Sequence, residues 1–247
     1  MQFGKLQIAR AYQAVQQALE DAIMSGALAP GQPLPTETEL AEKFGVTRHT
    51  VREGMRALEQ SGLVKRDAGR RLHVTRPKHD ALASQSSRAL LMQQVSFREI
   101  WEVAMQLELL AMDLLAEQVD DALIADLDAN IAAMALALER GESIIALDVA
   151  FHALIAHATR NRVLLLSREP VSQLFYPSLD RLFTHPKTRD RSPQRLLDAH
   201  REIVEGLRAR DLPAARLWMH RHMADFRRGY EHAGLSLDMP ISGQDPV

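Results

Sequence analysis

The sequence predicts a mainly α fold in two parts: three helices closed by a small β-hairpin, then an all-helical antiparallel bundle of six or seven helices. Three observations carry that reading. Apolar residues recur at spacings of three and four along most of the chain, and β-rich runs are confined to two short stretches between residues 63 and 75. The charge also divides along the chain. Residues 1–76 hold eleven Lys/Arg against eight Asp/Glu and the remainder nineteen against twenty-four, so a net charge of −2 conceals a basic first part and an acidic second. With 247 residues, 46% of them apolar, the chain can bury two cores of modest size. The expected domains are 1–76, 77–233 and a mobile tail at 234–247, which has no periodicity.

The composition excludes several chemistries. There is no cysteine, so disulfides and thiolate metal sites are ruled out and any metal must be held by nitrogen and oxygen. No apolar run approaches the roughly eighteen residues that span a bilayer. The first residues, MQFGKLQIARAYQAV, lack the apolar core of a signal peptide, so a soluble, cytoplasmic protein is expected.

Taken in order, residues 6–25 read as an amphipathic helix with Tyr12, Val15, Leu19 and Ile23 on one side, closed by Ser25-Gly26. After the loop ALAPGQPLP, Thr36-Glu37-Thr38-Glu39 has the form of a capping box, which starts a short helix at Thr36 that stops at Gly45. Thr47 caps a third helix running to Gln60, with Val51, Met55 and Leu58 on its apolar side and Arg48, His49, Arg52 and Arg56 on the other. LVKR and RLHVT flank the turn Asp67-Ala68-Gly69-Arg70 as a hairpin. Arg76-Pro77-Lys78 marks the boundary. Beyond it the pattern predicts helices over 80–93, 97–118, 121–140, 143–158, 161–183, 193–210 and 212–230.

Three helices with a tight Gly-Val-Thr turn between the second and third, followed by a hairpin, form the layout of a winged helix-turn-helix. A helix lying in the major groove of DNA needs an apolar side to hold it on its own domain and a donor-rich side to reach bases and phosphates. The third helix has both. Arg48 and Arg52 are the candidates for the groove, His49 and Thr50 for its edge, and Gly69 and Arg70 at the wing tip for the backbone. A solvated charged helix is the ordinary explanation of an isolated R-x-x-x-R pair, but here the pair lies between a capped helix and a hairpin of the right size. The run LAPGQPLPTETELAEKFGVTRHTVREGMRALEQSGLVKR resembles the GntR superfamily of bacterial transcription regulators. The resemblance implies dimers that bind pseudo-palindromic operators, with DNA contacts from Arg48, His49, Thr50, Arg52 and Gly69. Thr38 stands where several relatives have an arginine.

In the second part, polar side chains fall on apolar stripes. Asp148 and His152 share a face with Ile144, Ile145, Phe151 and Ile155; His200 lies with Leu196, Leu197, Ile203, Val204 and Leu207; His222 lies with Met219, Met223 and Phe226. A single buried histidine is usually satisfied by a backbone group or by water. Three helices turning imidazole or carboxylate inward call for a common partner, and a divalent cation is one, because an unpaired buried carboxylate is costly. One carboxylate and three imidazoles suit Zn, Ni, Mn or Fe better than Ca. His157, His185 and His220 lack the periodic context.

The same stretch resembles the FadR-type subfamily, whose all-helical C-terminal domain, called FCD, binds small-molecule effectors. The matching residues are D-x-x-x-H at Asp148 and His152, N-x-x-L at Asn161, and the histidines at 200 and 222. The resemblance implies a metal on Asp148, His152, His200 and His222, an organic-acid effector beside it, and an effector contact at Asn161. The motif E-x-R-x-x-x-E is altered: between Glu102 and Glu108, Ala104 replaces the arginine, and Arg98, Arg168 and Arg181 are its candidate substitutes. The expected function is an effector-controlled regulator, and the repressor is the favoured sign. A metal-responsive regulator and a metalloenzyme are the alternatives.

Overall fold

The computed structural model describes residues 9–67, 71–75, 79–115 and 118–241. They belong to two compact units, Met1–Ala81 and Leu82–Val247. The division therefore falls a few residues into a helix rather than at 76/77.

The first unit contains α1 (Ala9–Met24), α2 (Glu37–Phe44), α3 (Arg48–Gln60), β1 (Val64–Arg66) and β2 (Leu72–Val74). The capping box forms as its residues dictate: Thr36 Oγ1 accepts from the Glu39 amide, and the Glu39 carboxylate accepts from the Thr36 amide at 2.7 Å. Gly45 ends α2 at φ +65°, a conformation that favours glycine. Thr47 then caps α3 by accepting from the Thr50 amide. Val15, Leu19, Leu40, Val51, Leu58 and Val74 are among the buried core residues. A Cβ at Gly54 would meet Tyr12 O and Val15 Cγ1 at 2.9 Å, so the missing side chain is what lets α1 and α3 approach. The strands pair antiparallel, Val64 opposite Val74 and Arg66 opposite Leu72. The wing-tip residues Gly69 and Arg70, like Arg76-Pro77-Lys78, lie outside the described residues.

The second unit takes in α4 (His79–Met92) from Leu82 onward, α5 (Phe97–Leu115), α6 (Asp121–Glu139), α7 (Ile145–Ala158), α8 (Arg162–Ser178), α9 (Asp180–Thr184), α10 (Ser192–Arg208) and α11 (Leu212–Ala233). α10 packs along α11, and α5 lies against α7, α8 and α11. Two expectations need correction. The single helix expected over 161–183 divides into α8 and α9 at Leu179, where Pro177 lacks an N–H and the Leu179 amide bonds Tyr176 O three residues back. The tail is ordered to residue 241. Leu237 and Ile241 are buried, the Ile241 amide donates to Val95 O, the Arg98 amide donates to Leu237 O, and the Arg98 guanidinium pairs with Asp238. Two apolar side chains and a return to the start of α5 hold a segment that lacks helical periodicity. Residues 242–247 lie outside the described residues.

Candidate metal centre and nucleic-acid interface

α7 places Asp148 and His152 one turn apart on its inner face, α10 brings His200, and α11 brings His222. All four are buried, and one ligand-capable atom from each lies within 4.8 Å of the others. From Asp148 Oδ1 the Nε2 atoms of His200, His152 and His222 are 3.2, 3.6 and 4.0 Å away, and His152 Nε2 is 3.0 Å from His222 Nε2. Donors bonded to one ion at ~2.1 Å stand roughly 3.0–4.2 Å apart for bond angles between 90° and 180°, so these four separations suit a single cation.

Hydrogen bonding gives an independent test. Both carboxylate oxygens of Asp148 and both ring nitrogens of His200 are buried without a hydrogen-bond partner. The 3.2 Å approach of His200 to Asp148 lacks the direction a hydrogen bond needs, and direction decides here. Burial raises the Asp148 pKa, an effect that His152 and His222 partly offset. Burial, and then the neighbouring imidazoles, push His200 and His222 well below the usual histidine range. Their neutral form is the one that ligates metal. The donor set therefore fits a divalent cation, which would bind the Asp148 carboxylate and one ring nitrogen of His200, groups that the protein itself leaves unpaired.

His152 is fixed from behind. Its Nδ1 is 2.8 Å from Glu108 Oε2, which orients Nε2 toward the cluster, as a carboxylate behind a ligating histidine does. Glu108 Oε1 accepts from Arg168 Nε at 2.8 Å and from the Tyr176 hydroxyl at 3.2 Å. Burial works against the Glu108 charge, but Arg168 and His152 outweigh it and hold the carboxyl at about 2. Burial likewise opposes the Arg168 charge, and Glu108 overrides it, so the guanidinium pKa is raised. The role of Glu108 was not read from the sequence, although its position on a buried face of α5 with Ala104, Ala111 and Leu115 is the same polar-in-apolar signal that marked Asp148.

Other expected residues take different places. Asn161 is the N-cap of α8, its Oδ1 accepting from the amides of Val163 and Leu164 at 3.0 Å. Both bonds commit that oxygen to the helix end. Of the candidate substitutes for the arginine missing at Ala104, Arg168 is committed to Glu108, Arg98 pairs with Asp238, and Arg181 reaches toward Met239. His157 and His220 are exposed. A cavity of about 310 Å³ reaches the cluster through His222, with Leu182, Leu196 and Phe226 also in its wall.

In the first unit, Arg48, His49 and Arg52 are exposed along α3 and Thr50 is half-buried beside Thr47. Arg52 is clamped: Nε lies 3.0 Å from Glu37 Oε1, and a terminal nitrogen lies 2.7 Å from Oε2. Glu37, on the preceding helix, is therefore part of this surface, and the sequence reading passed over it.

A helix-turn-helix unit with a cationic third helix, joined in one chain to a helical unit with a cavity against a donor cluster, defines a transcription regulator. Residues 11–74 match the family of bacterial regulatory proteins described as gntR, and residues 99–225 match the FCD domain. The chain belongs to the gntR family and carries an FCD domain. It is 29% identical over 217 residues to the HTH-type transcriptional regulator YdhC of Bacillus subtilis, covering 87% of each chain. It is 29% identical over 208 residues to LutR of the same species, covering 82% of this chain and 93% of LutR. With the Glc operon transcriptional activator of Escherichia coli it shares 28% over 197 residues, 75% of this chain and 78% of that one. The solved structure of Streptococcus agalactiae GntR has the same fold, with a TM-score of 0.62 at 23% identity over 88% of this chain and 99% of that chain. These relatives are regulators, and this chain is a regulator and not an enzyme. No helix among the described residues is long and apolar enough to cross a membrane.

Proposed function

We propose that this chain is a cytoplasmic, homodimeric repressor whose operator affinity falls when an anionic small molecule binds beside a divalent cation held by Asp148, His152, His200 and His222. The observation that carries the reading is the buried Asp148 carboxylate, which faces three imidazoles with no hydrogen bond to either oxygen. When bound, the ion supplies Lewis-acid positions to which an effector carboxylate can bind. His222 carries the influence of the cluster to the cavity wall, and Glu108 holds His152 in the ligating tautomer. Burial of all four donors favours an ion retained as a cofactor over one that exchanges freely as a signal. Zn, Ni, Mn and Fe all suit the set.

On the DNA side, Arg48 and His49 would lie free in the major groove of a pseudo-palindromic site, with Thr50 at its edge and Arg52 set in position by Glu37. At the wing, Gly69 and Arg70 would approach the backbone. The homodimer is supported by an apolar ridge along α5, where Val103, Leu110 and Leu114 are exposed at the helical spacing that a second copy of the helix would cover. The test pairs elemental analysis with operator binding. Wild-type protein should retain about one ion per chain through dialysis and lose operator affinity when effector is added. Asp148→Ala should lose the ion and the effector response while still binding DNA. A wild-type protein that holds no metal after exposure to each of the four ions would refute the proposal.

A further inference from the structure

The cavity that ends at His222 is not uniform along its length. It runs between the start of α10 and the end of α11, where Leu196 lies one turn before His200 and Phe226 one turn after His222. That inner stretch is apolar. Its mouth carries Lys187, Arg191, Arg195 and Arg228 against a single acid, Asp225. Asp225 is paired with both Arg195 and Arg228. Among the described residues, Lys187 and Arg191 have no anionic partner. The loop that presents them is fixed: the buried Thr188 hydroxyl donates to Leu182 O, and the amides of Arg191 and Ser192 donate to Thr188 O. The mouth is therefore an ordered cationic rim with more positive charge than the protein neutralises.

The helical rise sets the length of the space. Arg195 and Arg191 precede His200 by five and nine residues, about 7 and 13 Å along the axis, and Arg228 follows His222 by six, about 9 Å. On the reading given above, one anionic group of the effector occupies the inner end. We propose that the effector is a dianion, with a second anionic group, carboxylate or phosphate, held at the rim by Lys187 and Arg191. The two groups are separated by about one to two helical turns, on the order of 5–11 Å. A monoanion would leave the two free cations unmatched, and the apolar stretch suits the carbon chain that joins the two groups. The rim also supplies a cationic contact to a ligand that finds Ala104 where an arginine is expected.

The experiment is calorimetric titration of the full-length protein, as purified with its metal, using glutarate, adipate, pimelate and suberate against the monocarboxylates of equal carbon number. A parallel arm replaces the distal carboxylate with a phosphonate. One chain length should bind about tenfold more tightly as the dianion. The double variant K187A/R191A, both exposed positions, should abolish that advantage and leave monocarboxylate affinity and melting temperature unchanged. Whichever distal group binds better identifies the second anion. Monocarboxylates that bind as tightly as dianions, or a double variant that weakens both classes equally, would overturn this inference alone. No binding by either class overturns it together with the effector reading on which it rests.

Discussion

Replacing Glu108 with glutamine keeps the shape of the side chain and removes one charge from a site where three groups depend on it. The carboxylate divides its oxygens, Oε2 to His152 Nδ1 and Oε1 to Arg168 and Tyr176. Glutamine has one acceptor oxygen, so either the ligand histidine or the guanidinium loses its partner. Arg168 is about 5% exposed, and an uncompensated buried charge costs roughly 3–5 kcal/mol. Loss of the carboxylate behind a ligating imidazole weakens metal binding by about 10–100-fold. Both tryptophans, Trp101 and Trp218, lie in the helical unit, so denaturation followed by their fluorescence reports on that unit alone. Glu108→Gln should unfold at markedly lower denaturant and release its metal to a weaker chelator. Adding Arg168→Met removes the orphaned charge, so the double variant should recover most of the stability but not the metal affinity. If the single variant matches wild type in both measurements, or the double variant gains no stability, the proposed division of labour around Glu108 is wrong.

Four further outcomes are expected. Glu37→Gln weakens the clamp that sets Arg52 in position, so operator affinity should fall while the slope of log affinity against log salt stays the same; a slope steeper by about 0.9 would mean that Glu37 withholds Arg52 from a phosphate. The hydrogen bond from Arg52 holds the Glu37 carboxyl below its usual pKa, so the clamp persists at neutral pH and is lost only as pH falls through that lowered value; in a His49→Gln background, which removes the imidazole from the DNA face of α3, the slope should therefore be the same at about pH 5 as at pH 7. His152→Ala should lower metal content and melting temperature together, whereas His220→Ala, at an exposed position, should change neither. Leu110→Lys on the outer side of α5 should shift the protein toward monomer in sedimentation velocity without loss of helicity.

Much of the fold could be read locally because its signals lie within a few residues of one another. The capping box at Thr36 and Glu39, the stop at Gly45 and the cap at Thr47 act within one helical turn, so the helix-turn-helix was legible before any packing was considered. The four donors were legible for a related reason. A polar residue on an apolar stripe announces burial, and Asp148, His152, His200 and His222 each did so on their own helices. Glu108 gave the same signal on α5 and was missed because it was treated only as part of a motif. Asn161 supports two readings from sequence, because an Asn preceding a helix fits a cap as well as a ligand contact.

What the sequence alone determined was the order and type of the elements and the identity of the inward-facing donors, since these follow from periodicity, capping and the cost of burying charge. Only the tertiary structure decided which polar groups meet. Sequence separations of 44 from Glu108 to His152 and 60 from Glu108 to Arg168 carry no local signal of contact, and neither does the return of Ile241 to Val95. Such pairings depend on how helices cross in three dimensions. The periodicity of a helix fixes which face is buried and says nothing about which partner that face will find.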